Sequence, residues 1–141
     1  MTAAVHRWSL RVYYEDTDAA GIVYHASYLK FAERGRTEML RALGFDHRSL
    51  AAVHGIVFVV SRCVIDFVRP GRLDDLLLVT TRPLLVGGAR LELEQVVTHE
   101  KHRIARLEVT LATLDSVQLR PKRLPEALRQ AFLENSEQSN G

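Results

Sequence analysis

Hydrophobic and polar positions change period along the chain, and each change marks an element. Over residues 7–13, Trp8, Leu10 and Val12 alternate with Arg7, Ser9 and Arg11, the pattern of a strand with one buried face. The alternation breaks at residues 15–21, a polar segment ending in Gly21 and carrying Glu15, Asp16 and Asp18, which reads as a loop. Over residues 27–43 the period becomes helical. Tyr28, Phe31, Ala32, Gly35, Met39, Ala42 and Leu43 share one face, while Lys30, Arg34, Glu38 and Arg41 fall elsewhere. Ser27 suits the N-cap and Gly44 the position after the last turn, which predicts a helix of about 16 residues and ~24 Å. Glycine inside a helix costs up to ~1 kcal/mol relative to alanine, so Gly35 predicts a close approach by another backbone.

A connecting stretch, residues 47–54, separates this helix from a region that is strand-like as far as Pro121. Residues 57–68 are rich in β-branched side chains. Pro70 and Gly71 then make a turn, and residues 76–82 form a second run that ends before Pro83 and the Gly87, Gly88 pair. Arg90, Glu92 and Glu94 alternate with Leu91 and Leu93; Arg106, Glu108 and Thr110 alternate with Leu107, Val109 and Leu111. Both are strands with one wet face. The charged residues 100–103 are short enough to be the hairpin between them. Residues 125–133 form a short terminal helix, and 134–141 is a polar tail expected to be disordered. The order predicts one α+β domain, residues 1–133, in which an antiparallel sheet wraps a single helix. Exposed strand edges predict an oligomer.

Composition narrows the function. A chain of 141 residues, 47% hydrophobic, is long enough to bury a core without disulfides or a structural metal. Its net charge of +2 comes from scattered Lys and Arg among nearly as many acids, which argues against nucleic acid as a partner. The single cysteine, Cys63, falls in an apolar run and is expected to be a small buried hydrophobe in a reducing compartment. No segment has the apolar length of a signal peptide core or a membrane span, so a cytoplasmic location is expected.

The segment of residues 14–25 carries the groups with useful chemistry. It joins a strand to a helix start, where peptide N–H groups are unpaired and partly positive and can hold the oxyanion formed when a carbonyl is attacked. A nearby carboxylate can attack that carbonyl or activate water. Asp18, Tyr14 and His25 are the available groups. On spacing alone Asp16 and Asp18 are equally turn or capping residues, His25 a cap or packing residue, and Tyr14 a packing aromatic.

Resemblance decides among these. Residues 12–40, VYYEDTDAAGIVYHASYLKFAERGRTEML, resemble the signature of the 4-hydroxybenzoyl-CoA thioesterase family, and most closely its branch of acyl-CoA thioesterases associated with the bacterial Tol-Pal operon. Phe67, Val68, Arg69 and Pro70, and later Leu73, Asp74 and Asp75, extend the match. Gly35 departs from it, since relatives often carry alanine there. The resemblance implies a hotdog fold, a homodimer or homotetramer, and Asp18 as the catalytic carboxylate. It also implies helix-start amides around Tyr24 and Ala26 as the site for the substrate carbonyl, with His25 and Tyr14 as positioning or polarising groups. Acyl-CoA is the implied substrate, with acyl carrier protein as an alternative carrier, and no metal or redox cofactor is expected. Glu33 is a second carboxylate to weigh, against a surface ion pair with a neighbouring arginine. Arg36, Arg69, Arg72 and Arg90 are candidates for phosphate contact. Two rival readings are a hotdog hydroxyacyl thioester dehydratase and a non-catalytic module that binds acyl-CoA or an envelope partner.

Overall fold

The computed structural model describes residues 5–140, with side chains as far as Glu134. Strand β1 (His6–Arg11) leads through a short 3-10 turn (Tyr14–Asp16) to helix α1 (Ser27–Ala42) and helix α2 (His47–His54). Strands β2 (Ile56–Phe67), β3 (Leu76–Val86), β4 (Arg90–His99) and β5 (His102–Asp115) follow, and helix α3 (Glu126–Asn140) ends the described chain. The strands form one five-stranded sheet in the order β1-β3-β4-β5-β2, antiparallel at every pairing. With α1 laid across one face of the sheet, this is the hotdog arrangement that the resemblance implies.

The core lies between α1 and the inner face of the sheet. Tyr28, Phe31, Ala32, Gly35, Met39 and Leu40 are buried on α1. They meet the alternate residues Leu77 and Val79 of β3, Leu91, Leu93 and Val97 of β4, and Leu107, Val109 and Leu111 of β5. The helix face read from the sequence is therefore the buried one, except at its last turn, where Ala42 is exposed. At Gly35 the close approach is by side chains of the sheet and not by another backbone: a Cβ there would stand 2.8 Å from Val79 Cγ1 and 3.3 Å from Gln95 Nε2. An alanine at this position needs β3 to give way, so the departure at Gly35 bears on packing as well as on helix propensity. Gln95, fully buried, is with Thr81 and Thr113 one of the polar residues of this inner face. Its Nε2 donates to Ala32 O and to Thr81 Oγ1, each at 2.9 Å, and so ties the sheet to the middle of α1.

Several expectations change. Ser27 is not the cap of α1; Ala26 is, without a side-chain bond, and Ser27 Oγ donates instead to Asp16 O at 3.1 Å, fastening the helix start to the preceding turn. Residues 47–54 are a helix rather than a plain connection, capped by Asp46, whose Oδ1 accepts from Ser49 N. Strand β3 runs past Pro83, because a register shift between Pro83 and Leu85 relieves the missing N–H. Helix α3 continues to Asn140, beyond the expected end at Leu133; Leu128 and Phe132 anchor it by packing into the core. Of the expected tail, Gly141 and the side chains from residue 135 lie outside the described residues. Cys63 is exposed, because β2 is an edge strand, paired only with β5.

A β-bulge explains which way β2 points. The inner residues Thr113 and Leu111 of β5 stand opposite Phe58 and Val60, whereas Val109, Leu107 and Ala105 stand opposite Cys63, Ile65 and Phe67. The register shifts between Val60 and Arg62, so the inward-facing set passes from even to odd numbers. Phe58 and Phe67 thus face the same side of the sheet although strict alternation would put them on opposite sides. Among the described residues no helix is long and apolar enough to cross a membrane.

Candidate active site

The loop between β1 and α1 is tied down by its backbone and leaves its side chains free. Asp16 is the buried member of the loop's acids: its Oδ2 accepts from Tyr13 N at 2.9 Å, and its carbonyl accepts from Tyr24 N at 2.8 Å and from Ser27 Oγ. It is a framework residue. Asp18 N donates to Ile22 O, Gly21 N donates to Asp18 O, and Asp18 Oδ1 accepts from Ala20 N at 2.9 Å in an Asx turn. Gly21 closes this turn at a φ of 79°, a conformation that suits glycine. Asp18 Oδ2 is left without a hydrogen-bond partner among the described residues, on an exposed side chain.

Asp18 and His25 line one pocket of about 310 Å³, together with Val23, Tyr28, Phe67 and Arg69. The C-terminal end of β2 and the turn after it form its other wall. Tyr28 fixes that wall from α1: Gly71 N donates to Tyr28 Oη at 3.0 Å, while Gly71 O accepts from Val23 N at 2.8 Å. Burial pushes the Tyr28 phenol's pKa up, the Gly71 N–H acts against it, and the Asp75 charge adds to the rise, so Tyr28 stays a neutral hydroxyl. The His25 ring stacks at a tilt on Tyr24, centroids 4.4 Å apart, and meets the edge of Phe67 at 6.5 Å. Phe67 also lies 5.8 Å from Tyr28, so the pocket has an aromatic floor.

The backbone at the helix start divides into used and unused donors. Tyr24 N is held by Asp16 O, and Ser27 N by Tyr24 O at 2.8 Å. Among the described residues no acceptor pairs with the N–H of His25 or of Ala26. The pocket therefore combines a carboxylate oxygen with no partner and an imidazole, and the unpaired N–H groups of His25 and of Ala26, the next residue, stand at the adjoining helix start, a set able to support nucleophilic or base-assisted attack on a carbonyl.

The sequence-derived candidates separate in space. Asp18 and His25 come together, with Tyr24 and Ala26 beside them. Tyr14 does not join them: its side chain is 83% exposed and outside the pocket lining. Glu33 lies on another cavity, further along α1, and makes no ion pair among the described residues; its nearest charge partner is Arg36. Tyr28 and Phe67 were not read as site residues from the sequence, and Arg69 was considered only for phosphate contact. Phe67 and Arg69 belong to a stretch that carries the resemblance, but their place beside Asp18 depends on the fold. Of the arginines considered for phosphate, Arg69 borders the pocket, and Arg90 is bound to Glu92 at 2.5 Å.

Residues 12–132 match the thioesterase-like superfamily. The chain is 40% identical over 133 residues to the acyl-CoA thioester hydrolase YbgC of Escherichia coli O6:H1, spanning 94% of this chain and 98% of that protein. It is 42% identical over 123 residues to the acyl-CoA thioesterase YbgC of Haemophilus influenzae, spanning 87% and 90% of the two chains. Among solved structures, a probable thioesterase from Bartonella henselae superposes with a TM-score of 0.83 at 42% identity, covering 86% of this chain and 99% of that one.

Proposed function

The chain belongs to the thioesterase-like superfamily and is a thioesterase, and on that premise we propose that it hydrolyses acyl-CoA thioesters to a free acid and coenzyme A, with Asp18 as the reacting carboxylate. The thioester carbonyl oxygen rests on the N–H groups of His25 and Ala26. Asp18 either attacks the carbonyl carbon or takes a proton from the water that does. The C–S bond breaks, the thiolate leaves as coenzyme A after protonation, and water supplies the oxygen of the acid. His25, stacked between Tyr24 and Phe67, orients the thioester.

The observation that carries this reading is the partnerless Asp18 oxygen in the same pocket as His25, whose N–H is unpaired at the helix start. Substrate enters as a pantetheine arm across the exposed Tyr24, and the pocket is completed in a homodimer joined at β2. That edge exposes Val60 (51%), Phe67 (54%) and Val68 (52%), which favours pairing with a second copy.

Free-thiol release from short, long and aromatic acyl-CoA substrates tests the proposal. Asp18→Asn keeps the side-chain oxygen that accepts from Ala20 N, so the turn survives while the charge is lost. Turnover is expected to fall by about 10²–10⁴-fold; a variant that turns over like the parent would remove Asp18 from the reaction.

A further inference from the structure

A second cavity, of about 390 Å³, lies between the C-terminal half of α1, α2, the sheet and α3, and it does not contain Asp18. Its volume falls in the range of roughly 300–1,000 Å³ typical of small-molecule sites. Met39, Leu93, Leu111 and Phe132 give it a buried apolar wall, and Phe58 and Val60 of β2 close the side towards the edge on which the proposed homodimer joins. Arg36 stands on the same lining. Its Nη1 donates to Gln95 Oε1 at 3.0 Å. Since both hydrogens of the Gln95 amide are committed to Ala32 O and Thr81 Oγ1, the Gln95 oxygen has to face Arg36 and cannot turn away without breaking those bonds.

Arg36 is thus held in place by a neutral group. A guanidinium carries five N–H donors, yet among the described residues no carboxylate lies within ion-pair distance of it and no second acceptor binds it. Burial draws its pKa down, and the charge of Glu33, on the same lining but outside ion-pair distance, opposes this. A cation partly removed from water with no carboxylate in contact is unfavourable, and an anion seated on its open hydrogens would offset that cost. An arginine fork suits a planar carboxylate, and the chamber beside it suits an apolar tail.

We propose that this cavity binds a free carboxylic acid, its carboxylate on Arg36 and its aliphatic or aromatic tail among Phe58, Leu93, Leu111 and Phe132. Such acids are what thioester hydrolysis releases, so the choice of ligand class rests on the function proposed above, while the site itself rests on its own geometry. A released acid held here would feed back on the enzyme from a position separate from Asp18.

Isothermal titration of the full-length protein with octanoate, and with 1-octanol as the uncharged counterpart, tests this without turnover. Octanoate is expected to bind once per chain, and octanol at least tenfold more weakly. Arg36→Gln should weaken octanoate at least tenfold and leave octanol unchanged, and Arg36→Lys, which keeps the charge but loses the fork, should fall between. Should the glutamine variant not fold, the lysine variant in the same titration decides, and unchanged octanoate affinity there overturns the site. Asp18→Asn should bind octanoate as the parent does. Equal binding of octanoate and octanol would overturn the proposal. So would octanoate affinity insensitive to Arg36, or an Arg36→Gln variant that changes oligomeric state while binding octanoate normally, which would assign Arg36 to a contact between copies. Acyl-CoA turnover, measured separately, can fail or succeed independently of either result.

Discussion

The start and the middle of α1 are fastened in opposite ways. Around Asp18 and His25 the backbone makes most of the bonds, and the Asp18 carboxylate keeps an oxygen to spare. At Gln95 the side chain itself makes the bonds, to the Ala32 carbonyl on the helix, the Thr81 hydroxyl on β3 and the Arg36 guanidinium. The first arrangement leaves polar groups available to a substrate; the second uses them to hold helix to sheet. Unsatisfied polar groups are costly when buried, so the exposed loop can keep its spare oxygen, whereas the fully buried Gln95 amide has every hydrogen and its oxygen engaged.

The sharpest test of this contrast is Asp18→Asn. Its expected loss of about 10²–10⁴ in turnover corresponds to about 3–5.5 kcal/mol of barrier, with urea unfolding close to the parent's; a large loss of stability would mean that Asp18 also belongs to the framework. Gln95→Leu should do the reverse. It removes the bonds to Ala32, Thr81 and Arg36 and should cost about 2–4 kcal/mol in urea unfolding, with turnover per folded molecule within a few-fold of the parent. Tyr28→Phe lies at the boundary, since it borders the pocket but its hydroxyl accepts from the Gly71 N–H. A loss of about 1–2 kcal/mol is expected, again with turnover within a few-fold; a kcat drop as deep as that of Asp18→Asn would bring the phenol into the chemistry.

The smallest effect concerns the outer face of the sheet, where Glu94 accepts from Arg82 Nε and Arg106 Nε, each at 2.8 Å. Burial alone would raise the Glu94 pKa, but these bonds and the two positive charges outweigh it and hold the carboxyl below its ordinary value of 4.5. A carboxylate with a depressed folded-state pKa stabilises the fold above the ordinary value, and that stabilisation is lost as pH falls through the folded one. Glu94→Gln should therefore lower Tm by a few degrees near neutral pH, consistent with about 1 kcal/mol for a largely solvent-screened group. The gap should close below about pH 4.5; a gap that widens in acid would contradict the assignment.

How much of this was legible in the sequence depends on whether a residue's role is local. Strands β4 and β5 and the buried face of α1 could be read because each has one buried side and keeps its period. The meeting of Asp18 and His25 on one pocket could be anticipated because both sit in one short loop with a specific pattern of neighbours. Helix α2 was missed because eight residues give barely two turns of periodicity, although Asp46 three residues before Ser49 was a capping signal. Cys63 was misplaced because an apolar run does not say whether its strand lies inside the sheet or at its edge. The Tyr28–Gly71 bond, the approach of Phe67 to His25 and the fixing of Arg36 by Gln95 join residues far apart in the chain, and no local pattern encodes them.

The bulge gives β2 one residue more than its partner needs. Losing the Ser61 codon in frame would take out that unpaired residue and leave the ladder intact: Val60 would still stand opposite Leu111 and Arg62 opposite Thr110, so Cys63, Ile65 and Phe67 would keep their facing and the aromatic floor beside His25 would stay. What would go is the local bend of the strand. Over evolutionary time Ser61 is therefore a spare letter, a place where the text can shorten without changing how the rest of the strand is read.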